Sequence, residues 1–146
     1  MTVKISTGLA EYLAGTGSLR AAFHGTSRIS LYAGAEVANA DAAASGATLL
    51  CTILSSASPL EFEAAVTGGI VTKATAQTWS GTNAASGTAT WFRVEITTDD
   101  RSTSTSALRL QGSIGTVVGD MVMTNPVLVS GNTKAIENFR MAVPLA

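Results

Sequence analysis

The chain has 146 residues, of which Ala, Gly, Ser and Thr together make up 73, and only 13% are charged against about 25% in an ordinary soluble domain. With 46% hydrophobic residues, a positive mean hydropathy and a formal net charge of -1, the composition excludes a solvated disordered chain, which needs high net charge and little apolar content. Charges scattered without a run give no basic footprint for nucleic acid, and no apolar run approaches the roughly 18 to 20 residues of a membrane span.

Cys51 is the single cysteine, so no internal disulfide and no thiol cluster for zinc is available, and the fold must rest on packing. Thr7, Gly8 and Glu11 interrupt the N-terminus, so export by a signal sequence is not expected. Low charge also removes the self-repulsion that keeps soluble proteins apart, which suits a chain that functions assembled; the alternative is a monomer kept soluble by its hydroxyls.

Taken in chain order, residues 1–27 read as an N-terminal arm with a helical segment. Thr7 is positioned to cap Gly8 to Leu13, with Leu9 and Leu13 on one face beside Tyr12. Gly15-Thr16-Gly17 breaks the helix, and Ser18 caps a second turn, Leu19 to His24, that Gly25 ends. From Arg28 the period changes to two, and residues 28–146 read as a β-sandwich in a single domain.

Ile29 and Leu31 alternate with Arg28, Ser30 and Tyr32 in the first strand. Gly34 to Gly46 reads as a loop with one helical turn, and Thr48 to Leu54 as a buried strand. Leu60, Phe62, Ala64 and Val66 alternate with Glu61, Glu63 and Ala65 as a half-exposed strand, followed by strands at Ile70 to Ala74 and Ala76 to Trp79. The clearest strand is Thr88 to Thr97, where Phe92, Val94 and Ile96 face one way and Trp91, Arg93 and Glu95 the other. Thr98 to Ser106 is a loop. Leu108 and Leu110 open another strand, with a bend or bulge between Gly112 and Gly115, and the last two strands fall at Met121 to Val129 and Ala135 to Val143. About eight short strands behind one helical segment predict an all-β fold, a jelly-roll-like or other Greek-key β-sandwich.

No residue constellation points to catalysis or a cofactor. His24, the only histidine, sits where a helix C-terminus offers carbonyls to an imidazole, and Cys51 lies in an apolar run as an inert buried thiol. Glu61 and Glu63 share one strand face and so do not oppose each other across a cleft, and Asp99, Asp100 and Asp120 lack the alternating spacing of a calcium loop. Gly15-Thr16-Gly17 before Ser18 lacks the remainder of a phosphate loop. Two features point to contact instead. Trp91 lies opposite the apolar face of its strand, so it is either displayed at an interface or covered by another part of its own subunit. Met1 to Ile5 and Val143 to Ala146 are apolar ends suited to augmenting a neighbour's sheet.

Several segments together carry a family likeness: Ser6-Thr7-Gly8-Leu9 with Tyr12-Leu13 and Gly15-Thr16-Gly17-Ser18-Leu19, Ala40-Asp41-Ala42-Ala43-Ala44, Thr78-Trp79-Ser80-Gly81-Thr82, Trp91-Phe92-Arg93, Leu110-Gln111-Gly112-Ser113-Ile114-Gly115-Thr116 and Phe139-Arg140-Met141-Ala142-Val143-Pro144. Across most of its length the chain resembles small structural proteins from the virion modules of tailed bacteriophages. The resemblance implies a virion component without catalytic residues or cofactor. Its foremost implied form is a capsid decoration or cement protein, a homo-oligomer whose partners are the major capsid protein and copies of itself. The expected docking elements are Met1 to His24, with Leu9, Tyr12 and Leu13, and the C-terminus; the expected aromatic anchors are Trp91 and Tyr32. The alternatives are a tail, baseplate or head-fibre component, and a carbohydrate-binding module that stacks sugars on Trp79 and Trp91.

Overall fold

The computed structural model of the protein describes residues 3–142. Of the expected apolar ends Met1 to Ile5 and Val143 to Ala146, residues 1–2 and 143–146 lie outside the described residues, as does the Val143 end of the last expected strand. The remainder is an all-β antiparallel sandwich with two short helices. Its strands are β1 (Lys4–Ile5), β2 (Ser27–Ala33), β3 (Thr48–Ile53), β4 (Ile70–Thr72), β5 (Trp79–Thr82), β6 (Gly87–Thr88), β7 (Trp91–Ile96), β8 (Arg109–Gly115), β9 (Met121–Val122), β10 (Val127–Leu128), β11 (Thr133–Ile136) and β12 (Arg140–Ala142). One large sheet runs in the order β1-β8-β7-β2-β3, with β9 added parallel to the end of β8. Three two-stranded ribbons, β11 with β5, β12 with β4 and β10 with β6, form the other side of the core, and bridges from Leu54 to Ser80 and from Cys51 to Asn83 tie β3 to the β5 ribbon.

The period of two in β2 and β7 directs Ile29, Leu31, Phe92 and Val94 into this core. There the Phe139 ring stands edge-on to Phe92 and tilted against Trp79, which in turn meets Phe62 edge-on. Such aromatic contacts add to the burial term, which is the main source of stability in a fold without disulfides.

The first segment is built into the sandwich rather than standing off as an arm. Its strand β1 pairs with Leu110 and Gln111 of β8, and the helices α1 (Thr7–Gly15) and α2 (Leu19–Phe23) bury Leu9, Leu19, Ala22 and Phe23 in the core. The cap of α1 is Ser6, not Thr7: the Ser6 hydroxyl accepts the Leu9 N–H at 3.1 Å and the Arg109 N–H at 3.0 Å, and donates to the Ala107 carbonyl at 2.6 Å. Thr7 instead donates its N–H and hydroxyl to Asp41. Gly8 is required next to this joint, because a Cβ there would collide with the backbone carbonyl of Ser106. Ser18 caps α2 as its sequence predicts, accepting the Ala21 N–H.

Elsewhere the short-strand pattern holds while several boundaries move. Leu60 and Phe62 point inward as their alternation predicts, but Ala64 and Val66 of the same expected row are exposed, and Leu60 and Phe62 form only isolated bridges, to Ser27 and Lys73. The expected strand ending at Trp79 instead begins there and continues to Thr82, because Gly81 lets β5 cross close to the Thr52 carbonyl. The Ala-rich loop after Gly34 has a hydrogen-bonded turn from Asn39 to Ala42 but no helix, and β8 continues through Gly112 to Gly115 without the expected bend or bulge between them. Asn125-Pro126 separates β9 from β10, and residues 137–139 separate β11 from β12.

Candidate functional site

The second face of the large sheet is also covered, and its filling is polar. Cross-strand register sets three rows: Tyr32, Trp91 and Ser113; Thr52, Ser30, Arg93, Gln111 and Lys4; and Arg28, Glu95 and Arg109. Over these rows lie the segments 34–47 and 97–108, whose carbonyls receive the guanidinium groups. Arg93 donates to Ala42, Arg109 to Ala40, Asp41 and Ser102, and Arg28 to Thr97 and Asp99. Charged groups enclosed in a protein need such partners to offset lost hydration.

Two carboxylates join the network, although the Tyr32 hydroxyl, Trp91 Nε1, Arg93 Nη1 and Glu95 Oε2 are buried on this face without a hydrogen-bond partner among the described residues. Asp99 accepts Arg109 in a bidentate pair at 2.6 and 2.7 Å, and also the N–H of Arg101. Glu95 receives on one oxygen Arg28 at 2.9 Å, Arg101 at 2.9 Å and Ser30 at 2.7 Å. Arg101 reaches this position from a left-handed backbone conformation, φ 64°. Burial works to raise the Asp99 carboxyl, but the hydrogen bonds from Arg109 and the Arg101 N–H outweigh it and hold the group below the usual carboxylate range. Burial lowers Arg93 and raises the Tyr32 phenol, in both cases against the charged form.

The residues expected at an interface lie mostly inside. Trp91 and Tyr32 stack with ring centroids 4.3 Å apart and an interplanar angle of 13°, at 0% and 2% exposure, and Arg93 lies over the indole at 5.4 Å. Of the two readings of Trp91, cover within its own subunit is the one the fold adopts. Leu9 is fully enclosed in the apolar core, while Tyr12 and Leu13 are half-buried against it. Trp79 is likewise enclosed and donates its indole N–H to Gln77. Neither tryptophan is therefore placed to stack a sugar, and the premise of a carbohydrate-binding module is lost.

The other singled-out side chains have local partners. His24 Nδ1 accepts the Phe62 N–H at 3.0 Å. Cys51 is buried, and burial pushes its thiol up to about 11. Glu63 accepts from Thr75, Asp100 from Ser102 and Asp120 from Ser113, while Glu61 is exposed. Among the described residues no group of three or more His, Cys, Asp or Glu is placed to hold a metal ion, and no helix is long and apolar enough to cross a membrane.

An exposed apolar feature stands out, and it takes in Val3 and Ile5 of the expected apolar N-terminal end. The margin of the large sheet formed by β1 and β9 exposes Val3 at 44%, Ile5 at 43% and Val122 at 56%, and the turn before β9 exposes Val117 at 81% and Val118 at 66%. Beside this margin a groove of about 330 Å³ runs between β9 and β12. Phe92, Leu110, Phe139 and Met141 form its floor, so it reaches the apolar core, and Val3 and Val122 stand at its rim. Its polar positions include Asp120 and Arg140. The available sequence signal was Gly115-Thr116-Val117-Val118-Gly119, a glycine-bracketed turn that carries two valines where polar residues are usual.

No protein-family model, curated protein or solved structure matches the chain. Fold and surface together define an all-β sandwich with a locked polar face and an open apolar margin.

Proposed function

We propose that the protein is a structural component of a tailed-bacteriophage virion, a decoration or cement protein that binds the outside of the major capsid shell and stabilises it. The observation that carries this reading is the exposed valine margin with its apolar groove in a charge-poor domain. Contiguous apolar surface of this kind marks interaction sites in proteins that otherwise hide it. The virion setting is part of the proposal and rests on the sequence motifs alone.

In this function the sandwich is a rigid block. Its two filled faces hold the margin in shape, and docking buries valines without desolvating many charges. One such contact is weak, but a shell repeats its binding sites, and linked contacts gain through effective concentration.

The test is to add the purified protein to capsids that lack it. Binding in hundreds of copies per particle, with a rise in the temperature at which the shells break, is the expected result. Absence of shell binding, with the protein located at the tail by electron microscopy, would replace this reading with a tail, baseplate or head-fibre role.

A further inference from the structure

Five of the eight large hydrophobic side chains exposed among the described residues (Val3, Ile5, Val117, Val118 and Val122) belong to the β1–β9 margin and its adjoining turn. Both strands hydrogen-bond to β8 and to no second strand among the described residues, so their outward N–H and C=O groups form an open sheet edge. Natural edges of this kind are usually guarded by an inward charge, a proline or a covering loop. Lys4 does not serve as that guard, because it is drawn onto the polar face by its ion pair with Glu36 at 3.2 Å.

We propose that a second copy of this chain pairs here, across a twofold axis, with β9 of one copy antiparallel to β9 of the other and Val122 of each seated at the partner's groove. The inference deepens the assembly reading and rests on it, naming the surface through which copies meet.

Charge singles out a second copy as the occupant. The groove carries one carboxylate, Asp120, and one guanidinium, Arg140. Asp120 Oδ2 takes the N–H and hydroxyl of Ser113, leaving Oδ1 without a hydrogen bond, and Arg140 has no ion pair, among the described residues. In a twofold contact residue i meets j and j meets i, so one geometry brings Asp120 of each copy to Arg140 of the other. A strongly acidic or basic partner would satisfy one of these and repel the other. With a net charge of -1, two copies also approach without long-range repulsion. The apolar terms match as well: a groove floored by core side chains takes a branched aliphatic group, and Val122 projects one from the edge.

The experiment measures the mass of the full chain in solution by sedimentation across a range of concentrations, for the wild type, Val122→Lys, Arg140→Glu and the control Val66→Lys. The wild type and Val66→Lys should dimerise. Val122→Lys should weaken the dimer on the order of a hundredfold, since it buries a charge without a partner, while matching the wild-type melting curve at concentrations low enough for both to be monomers, because the site is exposed in the single chain. Arg140→Glu should weaken it too, and Arg140→Glu combined with Asp120→Lys should recover part of the loss. A wild type that remains monomeric, or a dimer that survives both Val122→Lys and Arg140→Glu, overturns the pairing. Capsid binding measured on the same samples separates the two proposals. A monomer that binds shells removes the pairing and keeps the virion reading, whereas a dimer that ignores shells keeps the edge contact and removes the decoration role.

Discussion

Arg109 and Asp99 form a bidentate ion pair in which the guanidinium side chain is 0% and the carboxylate 3% exposed. Arg109 sits on a strand of the large sheet and Asp99 on the loop that covers it, so the pair fastens the cover to the sheet. Removing one member of an enclosed pair leaves the other uncompensated. Arg109→Ala and Asp99→Ala should each lower unfolding free energy by about 3 kcal/mol. Urea denaturation of the two single variants and the double variant checks this, and additive losses would show that the pair is not coupled.

The same pair sets a response to acid. Asp99 titrates lower in the folded chain than in the unfolded one, so its contribution is complete above the unfolded carboxyl value of about 3.9 and disappears as pH falls through the lower folded value. Melting temperature should therefore change little from neutrality to about pH 5 on this account and fall steeply below about pH 4. Asp99→Asn should start lower and show a shallower acid decline. Parallel curves for variant and wild type would exclude this origin.

Trp91 is a packing residue of the covered face and stacks on Tyr32. Trp91→Ala should cost about 3 to 5 kcal/mol in the isolated protein. A docking residue would behave in the opposite way, leaving the free protein's melting curve intact while weakening binding. Thermal melts of the purified variant decide between them.

Ser6 and Thr7 differ in what they hold. Ser6→Ala removes a helix cap that also accepts from β8 and donates to Ala107, so it should cost about 2 kcal/mol. Thr7→Ala loses a hydroxyl bond to the carboxylate of Asp41 at an exposed position and should cost less than 1 kcal/mol, an ordinary surface value of about that size. Equal losses would return the cap to Thr7.

The Ser55 to Ser58 turn closes with reciprocal backbone hydrogen bonds and places Ser56 at φ 48° and Ala57 at φ 68°. Two central residues in the left-handed region make a tight hairpin turn that favours Asn-Gly. Ser56→Asn with Ala57→Gly should raise stability by about 1 kcal/mol, measured by chemical denaturation.

Alternation made much of the fold legible. The rows Ile29 and Leu31, Leu60 and Phe62, and Phe92, Val94 and Ile96 point inward, since neighbouring side chains on an extended chain must lie on opposite sides, but the same alternation continues to Ala64 and Val66, which are exposed. Strand ends were less legible. Whether Thr78 or Ser80 joins a ladder depends on which carbonyls lie alongside, and in this chain the partner of β5 is more than fifty residues away in β11.

The sequence by itself determined the all-β class, the absence of disulfide support, the turn at Ser18 and the two-faced character of β7, because these follow from local conformation and composition. Only the tertiary structure decided that the polar face is closed. Arg93, Glu95, Arg109 and Trp91 look like a solvated or displayed surface until the segments 34–47 and 97–108 fold over them, bringing carbonyls to Arg93 and Arg109, the Asp99 carboxylate to Arg109 and the Arg101 guanidinium to Glu95. Tertiary structure likewise brought Val3 and Val122, 119 residues apart in sequence, to one groove, and so moved the exposed apolar surface from the aromatic residues to a margin of valines. Periodicity reports which side of a strand a residue occupies, and long-range packing determines what covers that side.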